Sequence, residues 1–287
     1  MSAALVLVTN DDGISAAGLA ALAEALARVG DVYVVAPDRE QSTVGHALTL
    51  HRPLRVDRLG ERRFAVNGTP SDCVNLAVLG LLPAEPKLVV SGINHGLNLG
   101  DDVTYSGTVS AAMEGTLLGV PSIAVSLAAP DQGSFEEAAR IAQLIAMRTL
   151  VEGLPPKTLL NVNVPGGRPK GIRFTRLGHR VYKEKVVEQK DPRGKTYYWI
   201  GAGPPLWDNR EATDIIAVQD GYASVTPLHL DLTHYAALGR LGKWEASLNA
   251  QLRPRRPGPR AGSPGRVPAP KAWVRRSTGR RPPGSGA

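Results

Sequence analysis

Ala4 to Thr9 is a continuous apolar run, the pattern of a strand buried on both faces, and Leu19, Leu22, Ala23, Leu26 and Val29 follow at helical spacing. Gly30 stops that helix, and Asp31 to Ala36 supplies a second apolar run that ends at Pro37. The opening therefore reads β-α-β, the unit of a parallel sheet with a right-handed crossover. Short apolar runs recur at Leu88 to Val90, Ser122 to Val125 and Leu159 to Val164. Helical patterns cover Pro70 to Leu82, Thr108 to Leu118 and Phe135 to Val151. An α/β fold with a doubly wound, mostly parallel sheet is the prediction.

Two stretches break that rhythm. Ala47 to Leu50, Leu54 to Asp57 and Phe64 to Val66 alternate over short lengths and predict small antiparallel strands inserted into the main sheet. Farther on, Val181 to Val187 and Thr196 to Ile200 flank Asp191-Pro192-Arg193-Gly194, which predicts a long, protruding β-hairpin over about residues 179–200. Its aromatic residues make it a candidate surface for a homodimer or homotetramer.

At 287 residues and 43% hydrophobic content, the chain can bury a sizeable core. The formal net charge of +8 points toward nucleic acid until the charge is located. From Leu248 onward lie ten of the 34 Lys and Arg and none of the 26 Asp and Glu, so the preceding residues carry 24 basic against 26 acidic. The basicity belongs to the end of the chain. We therefore expect a domain over residues 1–247 and a disordered Pro-, Gly- and Arg-rich tail over 248–287, either a loose polyanion-binding arm or a dispensable extension. The single cysteine, Cys73, excludes an intrachain disulfide and a cysteine-based zinc site, and fits a core position. No targeting segment and no run of about 18 apolar residues is apparent, which leads to the expectation of a soluble, cytoplasmic protein without a membrane span.

In a parallel sheet the ligand crevice lies outside the carboxyl ends of the strands. The first strand ends in Asn10-Asp11-Asp12-Gly13, with no lysine or arginine in the first two dozen residues. Two carboxylates about 4 Å apart at an effective dielectric near 20 repel by roughly 4 kcal/mol, so the pair calls for a cation or a proton. An ordinary alternative is a helix cap or an Asx turn. Convergence on one ion requires the chain to leave strand geometry, which Gly13 permits. Ser42 and Asn94, in the polar segments after the second strand and after Leu88 to Val90, would add neutral oxygens on the same edge. An oxygen set without a histidine cluster favours Mg²⁺ or Mn²⁺ over zinc. His46 and His95 could reach this edge, whereas His51, His179, His229 and His234 read as structural or surface residues.

The glycine-punctuated segment from Gly92 ends in Ser106-Gly107-Thr108, directly before a helix. Helix-start amides and hydroxyls make an anion site there, with capping as the competing role. Two aspartates and one divalent ion sum to zero charge, so a phosphate dianion can sit beside the ion, the arrangement for metal-assisted phosphomonoester hydrolysis. The motifs of P-loop NTPases, of dinucleotide binding and of the serine-hydrolase elbow are absent.

Five segments in order are similar to the motifs of the SurE family, the survival-protein nucleotidases. They are Val8 to Ile14, Val35 to Ser42, Gly68 to Val74, Val90 to Gly100 and Tyr105 to Val109. The similarity runs from the first strand to Pro227–Thr233 and leaves out the basic tail. The resemblance implies a Rossmann-like three-layer α/β/α fold and a cytoplasmic, oligomeric phosphatase with one divalent ion per subunit. Its substrates would be nucleoside 5′-monophosphates, with 3′-monophosphates and short polyphosphate besides. It places metal ligands at Asp11, Asp12, Ser42 and Asn94, and phosphate or substrate contacts at Asn94, Asn98, Ser106, Gly107 and Thr108. Asp11 and Asp12 are the catalytic candidates, either one a possible proton acceptor. Ser15-Ala16-Ala17-Gly18 departs from the family, whose members often carry proline before that glycine. The alternatives are a haloacid-dehalogenase-like phosphatase, which would want Asp-x-Asp where this chain has adjacent aspartates, and a non-enzymatic nucleotide- or RNA-binding module.

Overall fold

The computed structural model describes residues 4–128, 135–181, 185–202, 206–207 and 211–252. Strands β1 (Leu5–Thr9), β2 (Asp31–Pro37), β3 (Val56–Gly60), β4 (Arg63–Val66), β5 (Leu88–His95), β6 (Ser122–Leu127), β7 (Thr158–Val164) and β8 (Ile172–Phe174) lead through the first three quarters of the fold. After them come β9 (Arg180–Val181), β10 (Lys185–Lys190), β11 (Thr196–Ala202), β12 (Leu206–Trp207) and β13 (Ala223–His229). The helices are α1 (Ala17–Leu26), α2 (Pro70–Leu76), α3 (Gly107–Leu117), α4 (Phe135–Glu152), α5 (Asp214–Gln219), α6 (Tyr235–Leu241) and α7 (Glu245–Leu252).

Nine strands form one sheet in the order β3-β4-β2-β1-β5-β6-β7-β13-β8. From β4 to β7 every pairing is parallel, whereas β3 and β13 run antiparallel to β4 and β7. The continuous apolar runs are explained by burial on both faces. On β1, Val6 and Val8 join the core beneath α1 and α4, while Leu7 joins the cluster with Cys73, Val74 and Ala111 of α2 and α3. Strand β5 divides the same way, Leu88 and Val90 to one side and Val89 to the other. Each fully buried Val or Leu is worth about 1.5–3 kcal/mol, so the two cores together fix the three-layer order.

The chain winds from β1 outward to β2, then returns to place β5 on the other side of β1. The order therefore reverses between β1 and β5, and a crevice opens beyond their carboxyl ends. Asp11 and Asp12 follow β1, and Asn94 lies on β5 itself.

Some expected elements differ. Ala47 to Leu50 is not a strand: the carbonyl of Ala47 accepts from Thr69 Oγ1 at 2.7 Å, and the amide of Thr49 donates to Asp72 Oδ1 at 2.8 Å. Side chains of the capping box at the start of α2 take up backbone groups that a ladder would otherwise pair. Strand β5 runs five residues past Val90, through a cis Gly92–Ile93 peptide and a register shift against β6, although its later residues are polar. The Pro70 helix changes to a π-turn over Ala77–Leu81. A hairpin forms from β10 and β11 around Asp191 and Gly194, with its first arm over Lys185–Lys190 rather than from Val181, residues 182–184 of the expected arm lying outside the described residues. Cys73 is fully buried.

The chain divides into two compact units, Met1–Leu232 and Thr233–Ala287, close to where the family similarity stops. In the second unit α6, a 3₁₀ turn and α7 follow one another, so Leu248 to Leu252, the beginning of the segment expected to be a disordered tail, is helical. The remainder of that tail lies outside the described residues. No helix among the described residues is long and apolar enough to cross a membrane.

Candidate active site at the carboxyl edge of the sheet

The chain leaves β1 at Thr9 and turns at Gly13, whose φ of +95° is a conformation that side-chain-bearing residues rarely adopt. Asn10 secures the turn from beneath, its Nδ2 donating to the Gly13 carbonyl at 3.0 Å. The segment after β2 is tied to the same turn by Gln41 N donating to the Asp11 carbonyl at 2.7 Å and Ile14 N to the Pro37 carbonyl at 2.7 Å. As a result both aspartates face one cleft of about 670 Å³, with Ser42, Asn94, Asn98 and Ser106 among its other walls.

Asp11 is 5% exposed, and burial lifts its carboxyl from 3.8 to about 6. The Thr108 hydroxyl donates to Asp11 Oδ1 and works against that rise, whereas the neighbouring charge of Asp12 adds to it. Asp12 is also raised, first by burial, with the His95 amide donating to its Oδ2 at 3.3 Å as the opposing influence. Among the described residues, neither carboxylate pairs with a lysine or arginine. Two carboxylates held together at an energetic cost make a candidate cation site.

The neutral candidates, Asn94 and Ser42, border the same cleft. Asn94 donates Nδ2 to the Gly96 carbonyl at 2.9 Å and to the His95 carbonyl at 3.4 Å, which commits its amide hydrogens and leaves Oδ1 able to act as an oxygen donor to a cation. Exposed Ser42 donates to Glu40 Oε1 at 2.6 Å and retains its oxygen lone pairs. No three His, Cys, Asp or Glu residues gather into a metal-binding group among the described residues, so a cation held by the two carboxylates would need neutral oxygens to fill its shell. That donor chemistry fits a hard divalent ion.

The expected phosphate segment splits in two. Ser106 caps α3, its Oγ accepting from Val109 N at 3.1 Å, and also borders the cleft. Thr108 and Gly107 lie behind. The fully buried Thr108 spends its hydroxyl on Asp11, and a Cβ on Gly107 would come within 2.8 Å of the Asp11 side chain. The structure therefore gives these two residues to the carboxylate. Asn98 does border the cleft, and its peptide is fixed by Asn163 Oδ1 on its N–H and by Asn161 and Asn163 Nδ2 on its carbonyl. Its own Nδ2 donates to Ser126. Two residues farther on, Gly100 N donates to the buried Asp214, which also accepts from Gly178 N and Ile215 N.

Of the two histidines expected near this edge, His95 borders the cleft and stacks on Phe135 at 4.8 Å, whereas His46 pairs with Glu114. Glu40 and the 60%-exposed Tyr105 are cleft residues that patterning did not single out. Their signal was position alone, two residues before Ser42 and one before Ser106.

An α/β protein with paired carboxylates and a capped helix start at a topological switch point has the layout of a ligand-binding α/β enzyme. The chain belongs to the SurE family: the family model described as Survival protein SurE matches residues 6–184. It is 57% identical over 242 residues to the 5′-nucleotidase SurE of Syntrophotalea carbinolica, covering 84% of this chain and 97% of that protein. It is 56% identical over 246 residues to the 5′-nucleotidase SurE of Geobacter sulfurreducens, covering 84% and 94%. The crystal structure of the SurE protein from Aquifex aeolicus matches with a TM-score of 0.77 and 49% identity, covering 84% of this chain and 99% of that one.

Proposed function

We propose that this protein is a divalent-metal-dependent 5′-nucleotidase that hydrolyses nucleoside 5′-monophosphates to nucleoside and phosphate. The relatives named above carry 5′-nucleotidase in their names. The observation that carries the chemistry is Asp11, buried beside Asp12 and raised to about 6, with no lysine or arginine paired to it among the described residues. Asp11, Asp12, Ser42 and Asn94 would hold the ion, Mg²⁺ or Mn²⁺. Once bound, the ion supplies Lewis-acid polarisation of a phosphoryl oxygen and a lowered pKa for water.

The chain's own residues do the rest. Ser106, the cap of α3, and Asn98 would receive phosphate oxygens at the helix start, where the helix end carries about half a positive charge. Thr108 and Gly107 keep Asp11 in place through its hydrogen bond and the space left for its side chain. Asp12 is more open than Asp11 and is the better placed of the pair to accept a proton from the attacking water. The same reading carries a cytoplasmic enzyme assembled as a homodimer or homotetramer, for which the exposed Tyr198, Trp199 and Ile200 of β11 offer a surface. Light scattering that returns a monomer removes the assembly.

The deciding assay is phosphate release from nucleoside 5′- and 3′-monophosphates and short polyphosphate, with and without chelator, under several divalent ions. Release from 5′-monophosphates that stops with chelator and returns with Mg²⁺ or Mn²⁺ is the expected outcome. Release that ignores the chelator overturns the metal assignment.

A further inference from the structure

Between Pro37 and Val56 the chain has no strand or helix, yet it carries Ser42 into the cleft. Such a segment depends on individual hydrogen bonds outside any ladder. Two anchors bracket Ser42. Upstream, Gln41 N donates to the Asp11 carbonyl at 2.7 Å. Downstream, His46 Nε2 lies 2.7 Å from Glu114 Oε2 on α3.

The stretch between them would not keep its form unaided. Thr43, a β-branched residue, sits at φ +60°, and Gly45 at φ +58°. Strain of this kind persists only where the surroundings over-determine the backbone. Glu114 is suited to the purpose. It is 5% exposed, and its second oxygen accepts Asn75 Nδ2 of α2 at 2.7 Å. The carboxylate is thus braced between two helices before it meets His46. Neither His46 nor Glu114 borders the cleft.

Helix α3 then acts as a gauge. Near its start Thr108 fixes Asp11, and six residues on, about 9 Å along the axis, Glu114 fixes the segment that carries Ser42. We infer that Glu114, acting through His46, is a positioning residue that holds the strained Ser42–Gly45 turn against the cleft and keeps Ser42 at ligating distance from the ion. The inference rests on the assignment of Ser42 as a ligand.

Direct Mn²⁺ titration of the full chain, following the free ion by electron paramagnetic resonance, tests it without using activity. His46→Ala weakens Mn²⁺ binding about tenfold, the low end for losing an outer-shell partner of a metal ligand. Ser42→Ala weakens it at least as much, and the double variant binds no more weakly than Ser42→Ala alone. His46→Gln, which keeps an N–H for Glu114, restores most of the affinity, and Glu114→Gln, which keeps the acceptor for Asn75, loses part of it. Wild-type affinity in His46→Ala, or a His46→Ala effect that adds in full to Ser42→Ala, overturns the inference while the ligand assignment stands. Wild-type affinity in Ser42→Ala overturns that assignment and the inference with it.

Discussion

Asp11 and Ser42 share one ion in the proposed function, yet they stand at opposite extremes of the protein's architecture. Asp11 is 5% exposed, tied to Thr108, packed against Gly107 and carried by a strand with cores on both faces. Ser42 is exposed, in a segment without regular structure, and its hydroxyl donates to the equally exposed Glu40. The buried half is costly in the absence of an ion, because desolvation works against the charge that binding requires. The open half costs the fold little and depends on latches for its geometry. Stability and function should therefore separate: changes around Asp11 move both, and changes around Ser42 move binding alone.

Asp11→Asn breaks the comparison at its strongest point. Activity falls at least about a hundredfold, beyond the usual range for an outer-shell loss at a metal site, while the metal-free protein melts no lower than wild type. Steady-state phosphate release together with thermal melting checks both halves. A variant that keeps wild-type turnover would remove Asp11 from the chemistry.

Thr108→Val comes next in size. Valine keeps the volume and removes the donor to Asp11, so the carboxyl pKa rises further and divalent-ion affinity falls by about tenfold or more. Calorimetric titration at neutral pH reads this. If affinity is unchanged, the Thr108 hydroxyl is free for phosphate after all.

The smallest effect is expected from Ser42→Ala on stability. As an exposed substitution it should leave the metal-free melting transition within about 0.5 kcal/mol of wild type while still weakening the ion. A large loss of stability in this variant would erase the distinction between the two halves.

Much of the sheet was legible because burial on both faces writes itself as unbroken apolar runs, and β1, β2, β6 and β7 fall within a residue or two of where those runs predict them. What patterning missed obeys other rules. Polar Asn94 and His95 disguise the end of β5, since a strand end that borders a cleft no longer has to be apolar. Ala47 to Leu50 has the alternation of a strand but surrenders its backbone groups to Thr69 and Asp72, a competition visible only once α2 lies alongside. The same limit applies to the site. Adjacency made the Asp11-Asp12 pair stand out, and shared strand ends brought Ser42 and Asn94 to it. Thr108 looked like a phosphate contact because helix starts bind anions, and only the packed structure shows its hydroxyl directed to Asp11. The link from His46 to Glu114 spans 68 residues and leaves no local signal.

The most direct test of a cation-dependent Asp11 is thermal melting from pH 4 to 8, with and without Mn²⁺, for wild type and Asp11→Asn. The folded carboxyl titrates at about 6 and the unfolded one near 3.8, so folding favours the protonated form. The stability this group contributes is fully present below pH 3.8 and is lost as pH rises through about 6, a change of roughly 3 kcal/mol for two pKa units. Wild type without metal should therefore lose that contribution across the interval, Mn²⁺ should restore it increasingly above pH 6, and Asp11→Asn should keep only the share of the loss that belongs to the raised Asp12 and show little rescue. A Mn²⁺-induced shift in Asp11→Asn equal to that of wild type would contradict the central claim.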